Sequence, residues 1–329
     1  MMEQSLPVGP ADIDAAARVI APFAIRTPLL SSPALNERVG ANVFLKAEML
    51  QRTGSFKFRG AFNKISSIPE DKRSKGVVAF SSGNHAQGVA AAARILNVQA
   101  TIVMPSDAPL SKRERTKSYG AEVVLYDRDR GDREAIARSI AEERGATLVK
   151  PYDDPFVIAG QGTAGREILE DMAALGTKPD IVVAPTSGGG LIAGIATAVK
   201  ARYPQAQLIA AEPEGFDDHS RSLAAGHREP HASGGRTICD ALMALMPGEI
   251  TFAINRKLLS RGVTASDAEV GAAIAFAYRE LKLVVEPGGA IALAALLAGR
   301  LDATGNNVVI VLSGGNIDAD LFAEFVARH

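Results

Sequence analysis

Between Val77 and Lys150, short apolar β-branched runs alternate with alanine-rich helical stretches, and this alternation leaves few folds open. Val77-Val78-Ala79-Phe80 reads as a buried strand, and Ser81-Ser82-Gly83-Asn84 as a turn into a helix over Ala86 to Leu96. Ala100 to Met104 is a second strand closed by Pro105, Ser111 to Tyr119 a helix, and Ala121 to Leu125 a third strand. A helix over Asp132 to Arg144 and a strand over Thr147 to Lys150 complete the run. Neighbouring parallel strands need long crossovers, and helices used as crossovers cover both sheet faces, so the pattern predicts an α/β fold with a parallel sheet. Pro151, Asp153, Asp154 and Pro155 interrupt it and mark a crossing between two lobes. The pattern then restarts, with helices over Phe156 to Ala174, Leu191 to Arg202, Asp267 to Leu281 and Ala290 to Leu297. Its strands are Asp180 to Ala184, Gln207 to Ala211 and Asn307 to Leu312. Pro213 to Pro247, rich in Gly, His, Asp and Pro, reads as ordered irregular structure, and no solenoid repeat is present.

A chain of 329 residues that is 47% apolar and 22% charged is long enough for two domains around sizeable cores. Basic and acidic residues nearly cancel, 36 against 37, so the whole-chain field offers nucleic acid nothing. The single cysteine, Cys239, allows neither an internal disulfide nor a cysteine-built zinc site. Glu3, Pro7 and Pro10 stand where a signal peptide needs a basic start and an apolar run, and Ala290 to Ala298 is about half a membrane span. A cytoplasmic protein with no membrane partner is expected.

Three glycine-rich turns compete as phosphate cradles. Gly160-Gln161-Gly162-Thr163-Ala164-Gly165 matches G-x-G-x-x-G, but no convincing strand precedes it and it lies inside a helical pattern, so it reads as a packing feature. Thr186-Ser187-Gly188-Gly189-Gly190-Leu191 follows a strand and opens a helix, where successive N–H groups form a nest and the helix dipole favours an anion. It lacks the Lys-Ser/Thr of a P-loop. A dinucleotide reading stays open here, because Glu212 ends the next strand about 22 residues after Gly190, near the spacing of a ribose-binding acid. The third turn, Ser313-Gly314-Gly315-Asn316, follows the strand ending at Leu312, over strand ends where open α/β sheets bind ligands. Lys57, between Phe56 and Phe58 at a helix start, either snorkels to solvent or is a desolvated amine suited to a Schiff base.

Taken together, Ser55-Phe56-Lys57-Phe58-Arg59-Gly60-Ala61, Ser81-Ser82-Gly83-Asn84-His85-Ala86-Gln87-Gly88, Ser187-Gly188-Gly189-Gly190-Leu191, Glu286-Pro287-Gly288-Gly289 and Ser313-Gly314-Gly315-Asn316 carry a specific likeness. The sequence resembles the fold-type II pyridoxal-phosphate enzymes of the threonine/serine dehydratase and serine racemase family, from about Thr27 to Asp320, with a hydroxyaspartate dehydratase branch within reach. It departs from the related cysteine synthases, which have an acidic residue where this chain has Phe58-Arg59, and carries Ser187 where many relatives have glycine. The resemblance implies two open, twisted, mostly parallel sheets flanked by helices, tryptophan synthase beta-like. Residues 1–76 and 157–329 would form a large cofactor-binding lobe, and 77–156 a small substrate-binding lobe.

The resemblance also implies roles. Lys57 would hold pyridoxal 5'-phosphate as a Schiff base and then act as the base at the substrate Cα. Asn84 would bond the cofactor's ring oxygen, Ser187, Gly188, Gly189, Gly190 and Leu191 would hold its phosphate, Ser313 would face the pyridine nitrogen, and Phe56 and Glu286 would complete the cofactor site. A hydroxyl cannot keep that nitrogen protonated, which favours prompt loss of a β-leaving group over a long-lived carbanion. Ser81, Ser82, Gly83, Asn84 and His85 would bind the substrate carboxylate at a helix N-terminus. Ser82, opposite Lys57, would be the second acid/base of a racemase; the bland alternative is that it caps the following helix. Arg133 would read a second carboxylate bidentately, although the cluster Asp127 to Arg133 could equally be a solvated helix start. The Gly160 segment becomes the family's Gly-Gln-Gly-Thr.

In the acidic run Glu212 to Asp218, the serine racemase branch implies Glu212, the Phe216 carbonyl and Asp218 as ligands of magnesium, with calcium or manganese possible; on composition alone the run is a solvated loop. The chain ends at His329, leaving no room for the regulatory domain of biosynthetic threonine dehydratases, so isoleucine feedback through it is not expected. The implied activity is removal of the β-hydroxyl from threonine, serine or 3-hydroxyaspartate, giving a 2-oxo acid and ammonia, by a homodimer, the family's habit. Serine racemase is the same-cofactor alternative. A dinucleotide oxidoreductase and a non-enzymatic small-molecule sensor are the alternatives of other classes.

Overall fold

A computed structural model describes residues 6–108, 110–127, 130–231 and 235–329. In chain order the strands are β1 (Leu29–Ser31), β2 (Asn42–Ala47), β3 (Val77–Phe80), β4 (Ala100–Pro105), β5 (Glu122–Tyr126), β6 (Thr147–Leu148), β7 (Ile181–Pro185), β8 (Gln207–Pro213), β9 (Arg261–Ala265) and β10 (Asn307–Leu312). They form two sheets, ordered β5-β4-β3-β6 and β1-β2-β10-β7-β8-β9. Every pairing is parallel except that of β1 with β2. The central strands β7, β8 and β10 are apolar and almost wholly buried, as expected of strands covered by helices on both faces. The architecture is α/β, with two open, mostly parallel sheets flanked by helices.

Helix starts follow capping chemistry visible in the sequence. Asp154 caps the long helix Pro155–Ala174 by accepting from the N–H groups of Phe156 and Val157, with Pro155 at the first helical position. Asp132 caps Arg133–Arg144 in the same way. The reading passed over several elements, β1 and β9 among them, and three differences have a clear physical reason. β2 escapes it because Lys46 interrupts the apolar run; the residue is fully buried, and its ammonium bonds Glu167 at 2.6 Å and the Thr27 carbonyl at 2.7 Å. The fourth strand is shorter, Thr147–Leu148, because the chain leaves the edge of its sheet before Lys150. The irregular stretch after Pro213 contains the helix Asp218–Ala225, whose first turn is capped at long range: Glu212 accepts from the N–H groups of His219 and Ser220, each at 2.8 Å.

The helix Lys57–Ser66 packs between the four-stranded sheet and the long helix Pro155–Ala174. Phe58, Ala61, Phe62 and Ile65 share a core with Val77, Ala79 and Ile102 of the four-stranded sheet. Its other face meets the long helix closely: a Cβ on Gly160 would lie 2.6 Å from the Arg59 carbonyl, and one on Gly162 2.9 Å from that of Gly194. The G-x-G-x-x-G run is thus a packing device inside a helix. Beneath it, Arg59 bonds Glu48 and Glu167 with distances of 2.7–2.8 Å, all within the protein. Burial opposes the Glu48 charge, but Arg59 and Lys46 prevail and hold its carboxyl below the usual range. No helix of the described residues is long and apolar enough to cross a membrane.

Candidate active site

The carboxyl ends of β3, β7 and β10 converge on a cavity of about 150 Å³, as open α/β sheets predict. β3 delivers the Ser81–His85 turn, β7 delivers Ser187–Leu191, and β10 delivers Ser313 and Asn316. Phe56, Lys57, Glu286 and Arg133 also line it, so the residues named for cofactor and substrate share one cavity.

Lys57 opens its helix, and its ammonium donates to the Pro151 carbonyl at 2.8 Å. Burial pulls its pKa down to about 8, partly opposed by Glu286. A neutral amine near neutrality is what a Schiff-base nucleophile requires. The neighbouring backbone is fixed by the Ser313 turn: Phe56 N–H donates to the Ser313 carbonyl at 3.1 Å, and Gly315 N–H to that of Gly54 at 2.9 Å.

The Ser187–Gly190 turn has the features of an anion cradle. Gly189 has φ +91°, which brings the loop round into the helix Gly190–Arg202. Thr251 and Asn255 donate to the carbonyls of Gly188 and Gly189, turning the peptide oxygens away from the cavity. Among the described residues, the N–H groups of Gly188, Gly189 and Gly190 meet no protein acceptor. The Ser187 hydroxyl accepts from Ala244 N–H at 3.1 Å, so the serine keeps the nest and adds a tether. These donors fit a phosphate at a helix N-terminus.

Across the cavity, Asn84 donates to Glu286 at 2.6 Å and accepts from Asn316 at 2.7 Å. One of its two amide N–H groups remains for a ligand. Burial, reinforced by Asp240, pushes Glu286 up to about 8, so it is largely protonated at neutral pH. Ser313 is buried against the cavity as an uncharged hydroxyl.

At the substrate turn, the residue capping the helix Asn84–Ile95 is Gly83, and the Ser81 hydroxyl accepts from its N–H at 3.2 Å. Ser82 caps nothing: its hydroxyl makes no hydrogen bond among the described residues, and it lines the cavity. His85 donates from Nε2 to the Val149 carbonyl at 2.9 Å, since a carbonyl only accepts. Burial and the Lys57 charge push it down to about 3, so it stays neutral. Arg133 begins its helix with its guanidinium 5.9 Å from the centre of the Phe80 ring, and it pairs with no carboxylate among the described residues. The helix-start part of the solvated-cluster reading therefore holds for its backbone, while its side chain borders the cavity.

Sequence reasoning missed several lining residues. Tyr152 packs its ring against Gly188 and its Cα and Cβ against Gly190; it sits in the Pro151–Pro155 break, which read only as a crossing. Lys112 and Asp240 pair at 2.5 Å beside the cavity, a contact between segments 128 residues apart that no local pattern announces. Gln161 comes from the long helix.

Glu212 and Asp218 lie outside the cavity lining, which removes the ribose-binding role considered for Glu212. Burial raises Glu212 to about 8 and Asp218 to about 7, and the charge of Asp218 adds to the rise at Glu212. Asp218 Oδ2 is buried without a partner among the described residues. Two crowded carboxyls with one orphaned oxygen fit a hard cation, although Glu212 already accepts from three donors. Among the described residues no three His, Cys, Asp or Glu side chains converge, so any such ion relies on backbone oxygen and water.

Comparison with known proteins places this geometry. The chain is 46% identical to L-threo-3-hydroxyaspartate ammonia-lyase of a Pseudomonas species, over 96% of this chain and 97% of the relative. It is 42% identical to L-threonine ammonia-lyase of Thermotoga maritima, over 96% and 78%. The structure of maize serine racemase superposes with a TM-score of 0.92 at 38% identity, covering 98% of each chain. These neighbours are fold-type II, tryptophan synthase beta-like enzymes. The model of the family described as pyridoxal-phosphate dependent enzyme matches residues 20–314, the span that contributes every lining residue named here except Asn316, and this chain belongs to that family.

Proposed function

We propose that the protein is a pyridoxal-phosphate-dependent ammonia-lyase of β-hydroxy amino acids, with 3-hydroxyaspartate its leading substrate ahead of threonine and serine. The observation that carries the choice is Arg133, a cavity-lining guanidinium that no carboxylate of the described residues neutralises. The 3-hydroxyaspartate ammonia-lyase relative supports the same choice.

Lys57, Asn84, the Ser187–Leu191 turn, Glu286, Ser313 and Phe56 would hold the cofactor. Bound there, pyridoxal phosphate supplies an electron sink conjugated with the substrate's amino nitrogen. Lys57, whose lowered pKa of about 8 makes its neutral amine more available than that of an ordinary lysine, takes the Cα proton. The N–H groups of the Ser81–His85 turn hold the α-carboxylate at a helix N-terminus. Arg133 holds the β-carboxylate and fixes which face of Cβ carries the hydroxyl. Loss of water gives an enamine, whose hydrolysis returns that water and yields a 2-oxo acid and ammonia. Borohydride treatment of the yellow protein should fix the cofactor to Lys57, and a label on any other residue refutes the assignment.

A second reading, serine racemase activity, is favoured by Ser82, whose hydroxyl is free of capping duty. Ser82→Ala should remove D-serine production or use while L-substrate dehydration persists; parallel loss of both activities contradicts a second-face acid/base. We further propose that magnesium, or calcium or manganese, binds Glu212, the Phe216 carbonyl and Asp218 and braces that loop. The working form is proposed as a cytoplasmic homodimer, with residues 77–156 as the small lobe and the rest as the large one.

A further inference from the structure

The G-x-G-x-x-G run packs helices, yet its second residue has no packing explanation. Gln161 is 1% exposed, and among the described residues neither its amide oxygen nor its amide nitrogen has a hydrogen-bond partner. A buried primary amide with both ends unmet forfeits the hydrogen bonds it makes in water, and native proteins rarely keep one without a use. The glycines on either side explain how it is held. Gly160 admits the backbone of the Lys57 helix, and Gly162 admits that of Gly194, so the long helix is clamped between two neighbours. Gln161 is then presented at the junction. Its Cγ lies 3.0 Å from where a Cβ on Gly60 would stand, and its Oε1 lies 3.0 Å from the corresponding point on Gly190. The side chain therefore lines the cavity beside the turn whose N–H groups stand free.

We propose that Gln161 is a ligand of the cofactor's phosphate: its oxygen rests on the first turn of the helix Gly190–Arg202 while its amide N–H groups donate to the anion. This rests on the cofactor reading of the site. A neutral donor suits the position, since a phosphate already facing a helix N-terminus and a glycine nest gains orientation from an amide without a second buried charge. The amide nitrogen, unmet within the described residues, then finds its acceptor in the ligand.

The test compares wild type, Gln161→Leu and Gln161→Met as apoenzymes, titrated at equilibrium with pyridoxal phosphate and with pyridoxal, which lacks the phosphate. Loss of one charge-assisted hydrogen bond should raise the dissociation constant for pyridoxal phosphate tenfold or more. Pyridoxal should bind all three within about twofold, because its contacts are untouched. The apoenzyme melting temperature should stay level or rise in the variants, since an unmet amide is replaced by an apolar group of similar size, and only the cofactor-bound form should melt earlier. The ³¹P resonance of the bound cofactor should shift. Unchanged pyridoxal-phosphate affinity, equal weakening toward both ligands, or apoenzymes that no longer fold would each overturn the proposal and leave Gln161 a structural residue. Wild type that binds neither ligand would instead refute the cofactor reading.

Discussion

At about 8, the pKa of Lys57 makes its amine roughly half neutral in mildly alkaline buffer, whereas an ordinary lysine amine is almost entirely charged there. The lowered value means that the folded protein releases this proton earlier than the unfolded chain, so the nucleophilic form gains as pH rises through about 8 and is scarce below it. The rate at which apoenzyme captures pyridoxal phosphate should therefore climb between about pH 6.5 and about pH 9 and then level off. A climb centred near 10.5 would show an unperturbed lysine. Arg133 makes the complementary prediction on specificity. Arg133→Ala should lower kcat/KM for 3-hydroxyaspartate by about 1.5–3 kcal/mol, the scale of a charge-assisted hydrogen-bonded contact, and should change threonine turnover much less. Equal effects on both substrates would mean that Arg133 does not read the β-carboxylate. Lys57 was legible in its own motif and Arg133 only through the family resemblance, whereas Tyr152 reaches the cavity through its packing against Gly188, and Lys112 pairs with the remote Asp240.

At the scale of elements, hydrophobic period and capping residues made most helices and the central strands readable. β2 was lost to one buried charge: Lys46 is tolerable in a strand only because Glu167 and the Thr27 carbonyl receive its ammonium, and those partners are remote in sequence. The helix Asp218–Ala225 was lost for a similar reason, since Glu212 caps its first turn from the end of β8. That loop also carries the cation proposal. Two raised carboxyls, one with an oxygen lacking any partner, destabilise the loop unless a cation or protons compensate them. An ion bound only by the folded state stabilises it by mass action, about 2.7 kcal/mol at a hundredfold excess over its dissociation constant. Chelation should lower the melting temperature, magnesium should restore it, and Asp218→Ala should melt like the chelated protein. A melting temperature indifferent to verified metal removal would leave the segment an ordinary acidic loop.

The whole molecule places its chemistry where two sheets meet. Neither sheet alone makes the site: the Ser81–His85 turn comes from one, the Ser187–Leu191 and Ser313–Asn316 turns come from the other, and the Lys57 helix packs on the core of the first and on the long helix Pro155–Ala174. The alternation of strands and helices made this architecture readable. It could not reveal the buried ions Arg59, Glu48, Glu167 and Lys46 beneath the Lys57 helix, because a charge network is defined by convergence in space. The account's central claim is that this junction is an ammonia-lyase site built on Lys57 and selective for a β-carboxylate. The direct measurement is 2-oxo-acid release by purified protein supplied with pyridoxal phosphate and magnesium, offered serine, threonine and each 3-hydroxyaspartate isomer, beside a folded Lys57→Ala control. The account predicts oxaloacetate and ammonia in equal amounts from a 3-hydroxyaspartate isomer, at a kcat/KM above that for threonine, and nothing from the control. Absence of 2-oxo acid from every substrate, or undiminished release by Lys57→Ala, would contradict it.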